Sequence, residues 1–520
     1  MFNLIYCGAT SACFELENPS PYYAPMPYTV ALNGKKAIES DRNVFSLYGL
    51  RPGERYEVEV SMGERTMRRA FTTPGESCAL SAKDFGAMGD GQTDDTAAIQ
   101  RAILLLPEGG RLFLPAGTYR TGPILLKSHM TLELDADAVL LGLTDKAAYP
   151  VLPATARNLD DGGDAHFGAF EGLPRAMYAA LITAEYAEDI SIIGPGAIDG
   201  NAQNGTWWQT FRQDPVARPR LCFFNRCRGV RVHGITGRNS ASWQFHPYFS
   251  DDVAFYDIAV TAPKDSPNTD ALDPECCDRV DIVGCRFSVG DDCIAIKSGK
   301  LELARKQLKP ASRHTIRNCL MEFGHGAVVL GSEISGGVKD LSVTQCLFRQ
   351  TDRGLRIKTR RGRGDTCAID GISFDNIRME GVLTPIVINM WYNCVDPDGN
   401  SDYVQSREAL PVDDRTPRLG RFSFHNMVCE DAEVAACYVD GLPERPVEAV
   451  TLENIRIRFR PDARAGKPSM QTYARDCRKL GLYFENVREV RLRGVTLEGA
   501  EGAPLITRQV GKVEQERFEG

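Results

Sequence analysis

The chain has 520 residues, of which 43% are hydrophobic and 25% are charged, as in an ordinary soluble globular protein. Its net charge of −8 argues against nucleic acid as the main partner and makes binding of a polyanion depend on a local basic site. No run of 18 apolar residues predicts a membrane span, and the opening MFNLIYCGATSACFELENP lacks the basic region of a signal peptide. We therefore expect a cytoplasmic protein with no membrane partner, or a secreted one if a leader has been removed.

The sequence contains 16 cysteines, too few for its length to indicate a disulfide scaffold. Several lie inside apolar runs, as Cys285, Cys293, Cys319 and Cys346 do, where a free thiol behaves as a small hydrophobic group. No CxxC pair is matched by a second CxxC or by an HxxxH, so a zinc site is not expected. Reduced cysteines in a protein core are the favoured interpretation.

Residues 1–76 read as a small all-β domain. Short alternating apolar runs at 28–32 and 56–60 are separated by the turns Asn33-Gly34 and Pro52-Gly53. The segment LRPGERY, which ends at Tyr56, resembles the tyrosine corner of fibronectin type III domains. We expect a β-sandwich that packs on its neighbour rather than one that binds a ligand, with the linker at 72–75.

A helix is predicted shortly after Asp84, where the character of the sequence changes. The Thr-Asp-Asp at residues 93–95 indicates a helix start, and Ile99, Ala102 and Ile103 form an apolar stripe. Helix capping accounts for the two aspartates better than a catalytic dyad does. An amphipathic helix over the open end of a β-helix explains the stripe, and the segment resembles the start of the right-handed β-helices of the pectin-lyase-like superfamily.

The rest of the chain, residues 77–520, repeats a pattern of apolar pairs. Each pair alternates like a strand and is followed by another apolar residue three to five positions later. The pairs are Val230/Val232, Val253/Phe255, Val280/Ile282, Leu341/Val343, Ile372/Phe374, Phe422/Phe424, Val450/Leu452 and Val490/Leu492, with a further coil expected around Thr315-Ile316. A unit of 23 to 31 residues fits a parallel β-helix better than a propeller, whose blades need about 40 residues. Insertions at 144–220, 300–312 and 395–420 are expected to form loops on one side.

Two clusters of carboxylates lie one such coil apart. Asp270 precedes the pair Asp291-Asp292 by nearly the length of the repeat unit. Equivalent positions of neighbouring coils stack about 4.8 Å apart, so these side chains should share one face. Successive residues of a regular strand point to opposite faces, but a bend at Gly290 would allow both aspartates to reach the groove.

Further polar residues follow at intervals close to one coil. His325 lies between two glycines, and it is as far beyond Asp292 as Lys358 is beyond His325. Arg356 and Lys358 are separated by a single residue, so they share a face of a strand. Tyr392 follows Lys358 after an interval of nearly the same length.

These motifs resemble one known family, the family 28 glycoside hydrolases or polygalacturonases. The motifs are Asn268-Thr269-Asp270, Gly290-Asp291-Asp292, Gly324-His325-Gly326 and Arg356-Ile357-Lys358, in the family's order and spacing. The similarity extends from about Asp84 to the C-terminus, and Ala271 departs from it where the family usually has glycine. It implies an all-β, right-handed parallel β-helix that hydrolyses α-1,4-galacturonosidic bonds of pectic polysaccharides with inversion and without a cofactor or metal.

The resemblance also implies roles for individual residues. Asp291 would be the general acid, Asp270 and Asp292 would hold the attacking water, and His325 would orient Asp291. Arg356 and Lys358 would meet the carboxylate of the sugar, with Asn268 and Tyr392 as further substrate contacts. Repulsion among the three carboxylates is expected to raise at least one pKa.

Several alternatives stay open at this stage. The aspartates are also compatible with a calcium site or with Asx turns, and the scaffold with a pectate or pectin lyase or a non-catalytic carbohydrate-binding β-helix. Nothing in a binding role requires Asp270, Asp291, Asp292 and His325 together. The long insertions and the N-terminal module, as in some bacterial exo-enzymes, favour cleavage from chain ends.

Overall fold

The protein is an all-β parallel β-helix preceded by a small pair of antiparallel sheets, as the sequence predicted. The computed structural model describes residues 1–157, 164–393 and 397–520. Each full coil of the β-helix supplies strands to three parallel sheets, named here the long sheet, the second sheet and the groove sheet.

The long sheet runs from one end of the β-helix to the other. Its strands are Ala79–Ser81, Gly110–Leu114, Met130–Leu134, Glu188–Ile193, Arg228–His233, Asp251–Tyr256, Asp278–Val283, Ala311–Arg317, Val338–Thr344, Ala368–Glu380, Arg421–Ala432, Val447–Phe459, Leu480–Glu498 and Leu505–Glu519. The short strand Arg418–Leu419 pairs with Ala368–Glu380.

The second sheet follows it around each coil. Its strands are Asp90–Asp94, Gly117–Thr121, Ala138–Gly142, Ala197–Asp199, Thr236–Arg238, Ala259–Thr261, Arg286–Ser288, Leu320–Glu322 and Leu347–Arg349. From Ala368–Glu380 onward, single long strands run through both sheets.

The groove sheet carries the polar motifs. Its strands are Ile124–Leu125, Ile182–Glu185, Cys222–Asn225, Phe245–Tyr248, Ile294–Ile296, Val328–Gly331, Arg353–Lys358, Thr384–Asn389 and Ala435–Asp440, followed by the beginning of Leu480–Glu498. Leu272 bridges Phe245 on one side and Ile294 on the other, so the sheet is continuous through the coil that contains Asp270.

The predicted apolar pairs stack in register along the long sheet. Val253 pairs with Val280, and Phe422 with Val450, which pairs in turn with Val490. The coil expected around Thr315-Ile316 is the strand Ala311–Arg317. Side chains of the same type therefore lie one above another in a single continuous core from Ala82 to Leu497.

A helix closes the first coil, and it begins directly after the three residues that the sequence marked as its start. The helix is Thr96–Leu105, and Ile99, Ala102 and Ile103 are buried in the core as expected. Asp95 is its N-cap residue, directly after the strand Asp90–Asp94 of the second sheet. The Asp94 carboxylate still accepts a hydrogen bond from the backbone N–H of Thr96, at 3.0 Å.

The N-terminal residues form two antiparallel sheets with a core of their own. One sheet contains Phe2–Cys7, Ser11–Leu16 and Val44–Tyr48, and the other contains Lys35–Arg42, Tyr23–Leu32, Arg55–Met62 and Arg65–Thr72. The phenol oxygen of Tyr56 accepts a hydrogen bond of 2.8 Å from the backbone N–H of Arg51, the contact expected of a tyrosine corner.

Partly buried ion pairs hold this module against the β-helix. Arg42 donates to Asp257 at 2.6 Å, and Arg317 donates to Glu15 at 2.9 Å. Asp257 also accepts from Ser46, at 2.7 Å. Because the side chains of these pairs are mostly buried, the pairs fix the orientation of the module more firmly than exposed pairs would.

The insertions are more structured than the predicted loops. The segment 144–220 contains a complete coil of the β-helix, and its hairpins pair Val151–Leu152 with Met177–Tyr178, Thr155–Arg157 with Asp164–His166, and Ala169–Phe170 with Leu173–Pro174. Residues 300–312 contain the helix Leu301–Lys306, and 397–420 contain Asp402–Gln405. Short 3-10 helices occur at Ala82–Phe85, Lys146–Ala148, Ala202–Asn204 and Pro397–Asn400. The parts of these insertions at 158–163 and 395–396 lie outside the described residues.

Most cysteines in the described parts are buried, as predicted. All fifteen cysteines in the described parts are free, and Cys285, Cys293, Cys319 and Cys346 are buried. A search of the same parts for a helix of the length and apolarity needed to cross a membrane finds none.

Candidate active site

Three consecutive strands of the groove sheet bring the four motifs together. Ile294 pairs with Val328, which pairs with Leu355, so the segments that contain Asp292, His325 and Arg356 stack coil upon coil. Asp270 lies one coil earlier, just before the Leu272 bridge. The predicted coil spacing therefore places all four motifs on one face.

The bend at Gly290 is one that no larger residue would allow. A Cβ at this position would lie 2.6 Å from the carbonyl oxygens of both Pro263 and Ser266. The chain turns here, and the side chains of Asp291 and Asp292 both line the cavity described below. Ala271, the departure from the family pattern, is fully buried, so the core accommodates its Cβ.

Three carboxylates meet at the centre of the site. One oxygen of each of Asp270, Asp291 and Asp292 lies within 4.8 Å of the others. Asp270 and Asp292 are buried, whereas Asp291 is partly exposed. Asp291 is therefore the carboxyl most accessible to a ligand in the groove.

Two cations contact Asp292. Lys358 Nζ lies 2.7 Å from Asp292 Oδ2, and Arg356 Nη1 lies 3.2 Å from Asp292 Oδ1. Both cations are on one face of their strand, as their spacing in the sequence predicted. In the structure they bind a carboxylate of the protein; their contact with a sugar carboxylate stays a prediction.

The environments of Asp270 and Asp292 separate their proton affinities. Burial, reinforced by the charges of Asp273 and Asp291, raises the pKa of Asp270 well above its usual range. Burial would also raise the pKa of Asp292, but Lys358 and Arg356 outweigh it and hold that pKa below its usual range. The expected rise in pKa thus falls on Asp270, and Asp292 is the carboxylate kept ionised.

His325 stands beside Asp291. Its Nδ1 lies 3.4 Å from Asp291 Oδ1, and this interaction raises the pKa of the imidazole despite partial burial. The backbone N–H of His325 donates to the carbonyl of Asp291 at 3.0 Å. A Cβ at Gly324 would lie 2.8 Å from the same carbonyl oxygen, so glycine is what allows this close approach.

All eight residues that the sequence singled out line one cavity of about 220 Å³. Asn268 is held by Arg218, whose Nη2 donates to its Oδ1 at 2.7 Å. The ring of Tyr392 lies 5.8 Å from Lys358 Nζ. The roles assigned to these residues stay predictions, although the structure brings all of them to one place.

The same cavity is lined by residues that the sequence analysis missed. Lys297 lies between Asp273 and Glu333, at 3.6 and 3.3 Å, and 4.5 Å from the centre of the Trp243 ring. A signal for Lys297 was present, because Ile294 and Ile296 point into the core and alternation turns residue 297 towards the groove. Glu171 also lines the cavity, from an insertion hairpin that no periodic pattern announced.

A further wall comes from a distant segment, the strap, defined as residues 466–477. Gly466 and Cys477 pair across its base. The Met470 carbonyl accepts from Asn389 Nδ2 at 2.9 Å, and its sulfur contacts Arg356 Nη2 at 2.6 Å. The strap therefore lies over the groove beside the cluster of Asp270, Asp291 and Asp292, and it borders a second, adjoining cavity of about 180 Å³.

The three carboxylates are also the type of oxygen ligand that calcium prefers. Arg356 and Lys358 already neutralise Asp292, and His325 adds a proton-binding group beside Asp291. A divalent cation would have to compete with these groups, which makes the cluster a poor calcium site.

Comparison with known proteins agrees with the geometry. The sequence pattern of Glycosyl hydrolases family 28 matches residues 169–459, and that of the pectate lyase-like Rhamnogalacturonase A/epimerase family matches 79–140. A "Probable polygalacturonase" of Vitis vinifera is 32% identical over 398 residues, which cover 74% of this chain and 75% of the relative.

Two solved structures share the fold. The family 28 exopolygalacturonase of Yersinia enterocolitica superposes with a TM-score of 0.74 at 20% identity, covering 99% of this chain and 98% of the other. The exopolygalacturonase of Thermotoga maritima gives a TM-score of 0.65 at 26% identity, covering 83% and 91%. With its four motifs gathered in one groove and more than half of its length matched, the chain belongs to glycosyl hydrolases family 28.

Proposed function

We propose that this glycoside hydrolase cleaves α-1,4-galacturonosidic bonds of polygalacturonate and its oligomers, from the chain ends. The observation that carries the proposal is the cluster of Asp270, Asp291 and Asp292 beside Arg356 and Lys358. It supplies both a partly exposed carboxyl for acid catalysis and an ionised carboxylate for activating water. The cations beside it suit a substrate that carries a carboxylate on every sugar.

In this mechanism Asp291 protonates the leaving glycosidic oxygen as the bond to the anomeric carbon breaks. Asp292, kept ionised by its two cations, takes a proton from the water whose oxygen bonds to that carbon. The raised pKa of Asp270 means that its carboxyl keeps a proton at pH values where Asp292 is ionised, so Asp270 is not available as the base and positions the water instead. His325 orients Asp291 and can return a proton to it after each turnover.

The distance between the carboxylates is relevant to whether the reaction inverts or retains the configuration at the anomeric carbon. Oxygen atoms within 4.8 Å are nearer than the roughly 6.5–9.5 Å between the carboxyl groups of most inverting hydrolases. A water held between Asp270 and Asp292 would therefore lie close to Asp291. Inversion stays our proposal, on the strength of the family resemblance, and the anomeric form of the product tests it.

Cleavage from chain ends is supported by what borders the cavity. The Ala169–Phe170 and Leu173–Pro174 hairpin brings Glu171 to it, and the strap brings Met470. Neither segment belongs to the coils, and each limits the length of polymer that the groove can hold beside Asp291. The Yersinia and Thermotoga proteins with this fold are both exopolygalacturonases.

The experiment is a digestion of polygalacturonate in which viscosity, reducing ends and ultraviolet absorbance are followed together. We expect reducing ends to appear while viscosity falls slowly, because trimming the ends leaves the mean chain length high. Rapid thinning at low conversion would show endo cleavage, and growing ultraviolet absorbance would show a lyase. No reaction at all would leave only a binding role.

We also propose that the N-terminal module is of the fibronectin type III kind and that it serves as packing. The Tyr56 corner and the ion pairs from Arg42 and Glu15 support this assignment. The cytoplasmic location is likewise a proposal, supported by the free thiols of the described cysteines. Cell fractionation with an antibody against the protein tests it.

A further inference from the structure

We propose that the protein has a second site for acidic oligosaccharides, on the far side of the strap from the catalytic cluster. The site is a cavity of about 430 Å³, named here the distal cavity. Its lining includes Arg407, Tyr438, Tyr473, Arg475, Glu485 and Arg508. The proposal rests on the proposed function for the kind of sugar that it would bind.

The distal cavity lies on the same face of the β-helix as the catalytic site. Five residues lie next to one another on successive strands of the groove sheet. In order along the axis they are Lys358, Asn389, Asp440, Glu485 and Arg508. Four steps at about 4.8 Å each put Arg508 roughly 19 Å along the axis from Lys358. The two sites therefore belong to one surface and are too far apart to share a single sugar residue.

The strap separates the two cavities. Ser469 and Met470 line the catalytic side, whereas Pro468, Gln471 and Tyr473 line the distal side. Gln471 is buried in this wall and donates to Asp440 at 2.8 Å. The distal cavity is thus a place with its own walls, bounded by an anchored segment.

Two of its arginines are available to a ligand. Arg407 is engaged, since it pairs with Asp440 at 3.0 Å and with Glu485 at 2.7 Å. Arg475 and Arg508 are exposed, and neither takes part in an ion pair within the described residues. A guanidinium in this position offers a forked contact to a carboxylate.

The remaining lining favours a sugar acid over a simple anion. Asp440, Asp476 and Glu485 line the same cavity. Their negative charge disfavours a compact multivalent anion such as phosphate. Asp440 is buried and already accepts from Trp391, Arg407 and Gln471, but the oxygens of Asp476 and Glu485 can accept hydrogen bonds from sugar hydroxyls. Tyr473 is 62% exposed at the edge, where its ring can pack on a sugar face. Uronate oligomers carry carboxylates for the arginines of this lining and hydroxyls for its acidic residues.

The consequence concerns long substrates. A polymer bound at the distal cavity stays near the enzyme between cleavages, which raises the effective concentration of chain ends. A short oligomer that fills only the catalytic cavity makes no contact with the distal cavity, so its binding is not strengthened. Loss of the distal site should therefore raise KM for polygalacturonate and leave hydrolysis of digalacturonate unchanged.

The experiment compares Arg475→Ala/Arg508→Ala with the wild-type enzyme on both substrates. Exposed charge pairs are individually weak, so we expect KM for polygalacturonate to rise about fivefold to tenfold with kcat retained. For digalacturonate, kcat/KM should stay within about twofold. Arg493→Ala is the matched control, because it also removes an exposed arginine of the β-helix, outside the cavity lining. Equal KM values for the polymer in all three proteins would overturn the proposal.

A binding measurement separates this proposal from the proposed function. Calorimetric titration of Asp291→Asn with trigalacturonate should give two sites, reduced to one when Arg475→Ala and Arg508→Ala are added. One site throughout overturns the distal site while the proposed function stands. One site that the arginine substitutions abolish, together with a wild-type protein that does not hydrolyse polygalacturonate, overturns the proposed function and supports the distal site. Binding of inorganic phosphate that displaces trigalacturonate from the distal site would overturn its assignment to sugar acids.

Discussion

Replacing Lys358 with methionine should shift the acid side of the pH–rate profile towards neutrality. Lys358 Nζ lies 2.7 Å from Asp292 Oδ2, and both side chains are buried. Removing one partner of a buried pair costs about 3–5 kcal/mol, and 1.36 kcal/mol corresponds to one pKa unit. Arg356 stays in contact with the other oxygen, so we expect the pKa of Asp292 to rise by about 2 units, the lower end of that range.

The direction of the pH shift follows from the proposed role of Asp292 as the base that activates water. Its pKa is depressed in the folded enzyme, so the carboxylate stays ionised, and the stability it contributes persists until the pH falls through that low value. In Lys358→Met the raised pKa makes Asp292 take up its proton at a higher pH, and both activity and stability are lost there sooner. A lysine on the surface, Lys36, provides the control Lys36→Met.

The assay is kcat/KM for digalacturonate measured from acid to neutral pH, with thermal unfolding recorded over the same range. The acid limb of the pH–rate profile should move to higher pH in Lys358→Met and stay in place in Lys36→Met. An unmoved limb, in a variant that is folded and still active, would show that Asp292 is not the base or that Lys358 does not set its proton affinity.

Four further outcomes test the site. Asp291→Asn should lower kcat by about 10²–10⁴-fold with oligogalacturonate binding nearly intact, and near-normal turnover would exclude it as the acid. Activity should survive EDTA, because Arg356 and Lys358 compete with any cation for Asp292; loss that calcium restores would contradict this. Proton NMR of the first-formed product should show the inverted anomer, and retention would assign one aspartate as a nucleophile. Arg356→Ala should damage hydrolysis of galacturonate oligomers more than that of methyl-esterified ones if Arg356 reads the sugar charge, whereas equal losses would leave it only the role of supporting Asp292.

Much of the fold could be predicted because its repeat is short and its core is regular. Each coil must bury the same face, so pairs such as Val280/Ile282 recur at a nearly fixed interval and stack in register. The start of the helix Thr96–Leu105 could be predicted because its capping residues are adjacent in the sequence. The strand Asp90–Asp94 just before it could not, because its pairing in a sheet is a tertiary contact that local signals do not contain.

The site was predictable to the extent that it lies on the coils. Asp270, Asp292, Arg356 and Lys358 sit at repeating positions, and the repeat itself places them together. Glu171 and Met470 come from segments outside the repeat, where the path of the chain depends on long-range packing. The burial that shifts the pKa of Asp270 also arises only when the coils are assembled.

The contact between Asp292 and its two cations suggests how substrate binding and water activation are linked. In the free site Arg356 and Lys358 hold the pKa of Asp292 low, which keeps it ionised but makes it a weak base. A sugar carboxylate in the adjoining cavity would compete for the same two cations. Any contact that it takes from Asp292 raises the proton affinity of Asp292 at the moment when a water must be deprotonated. Arg356 and Lys358 would then both bind the substrate carboxylate and, by releasing Asp292, make Asp292 a stronger base. The methyl ester lacks that charge, so it should leave Asp292 in its weakly basic state even where it fits the groove.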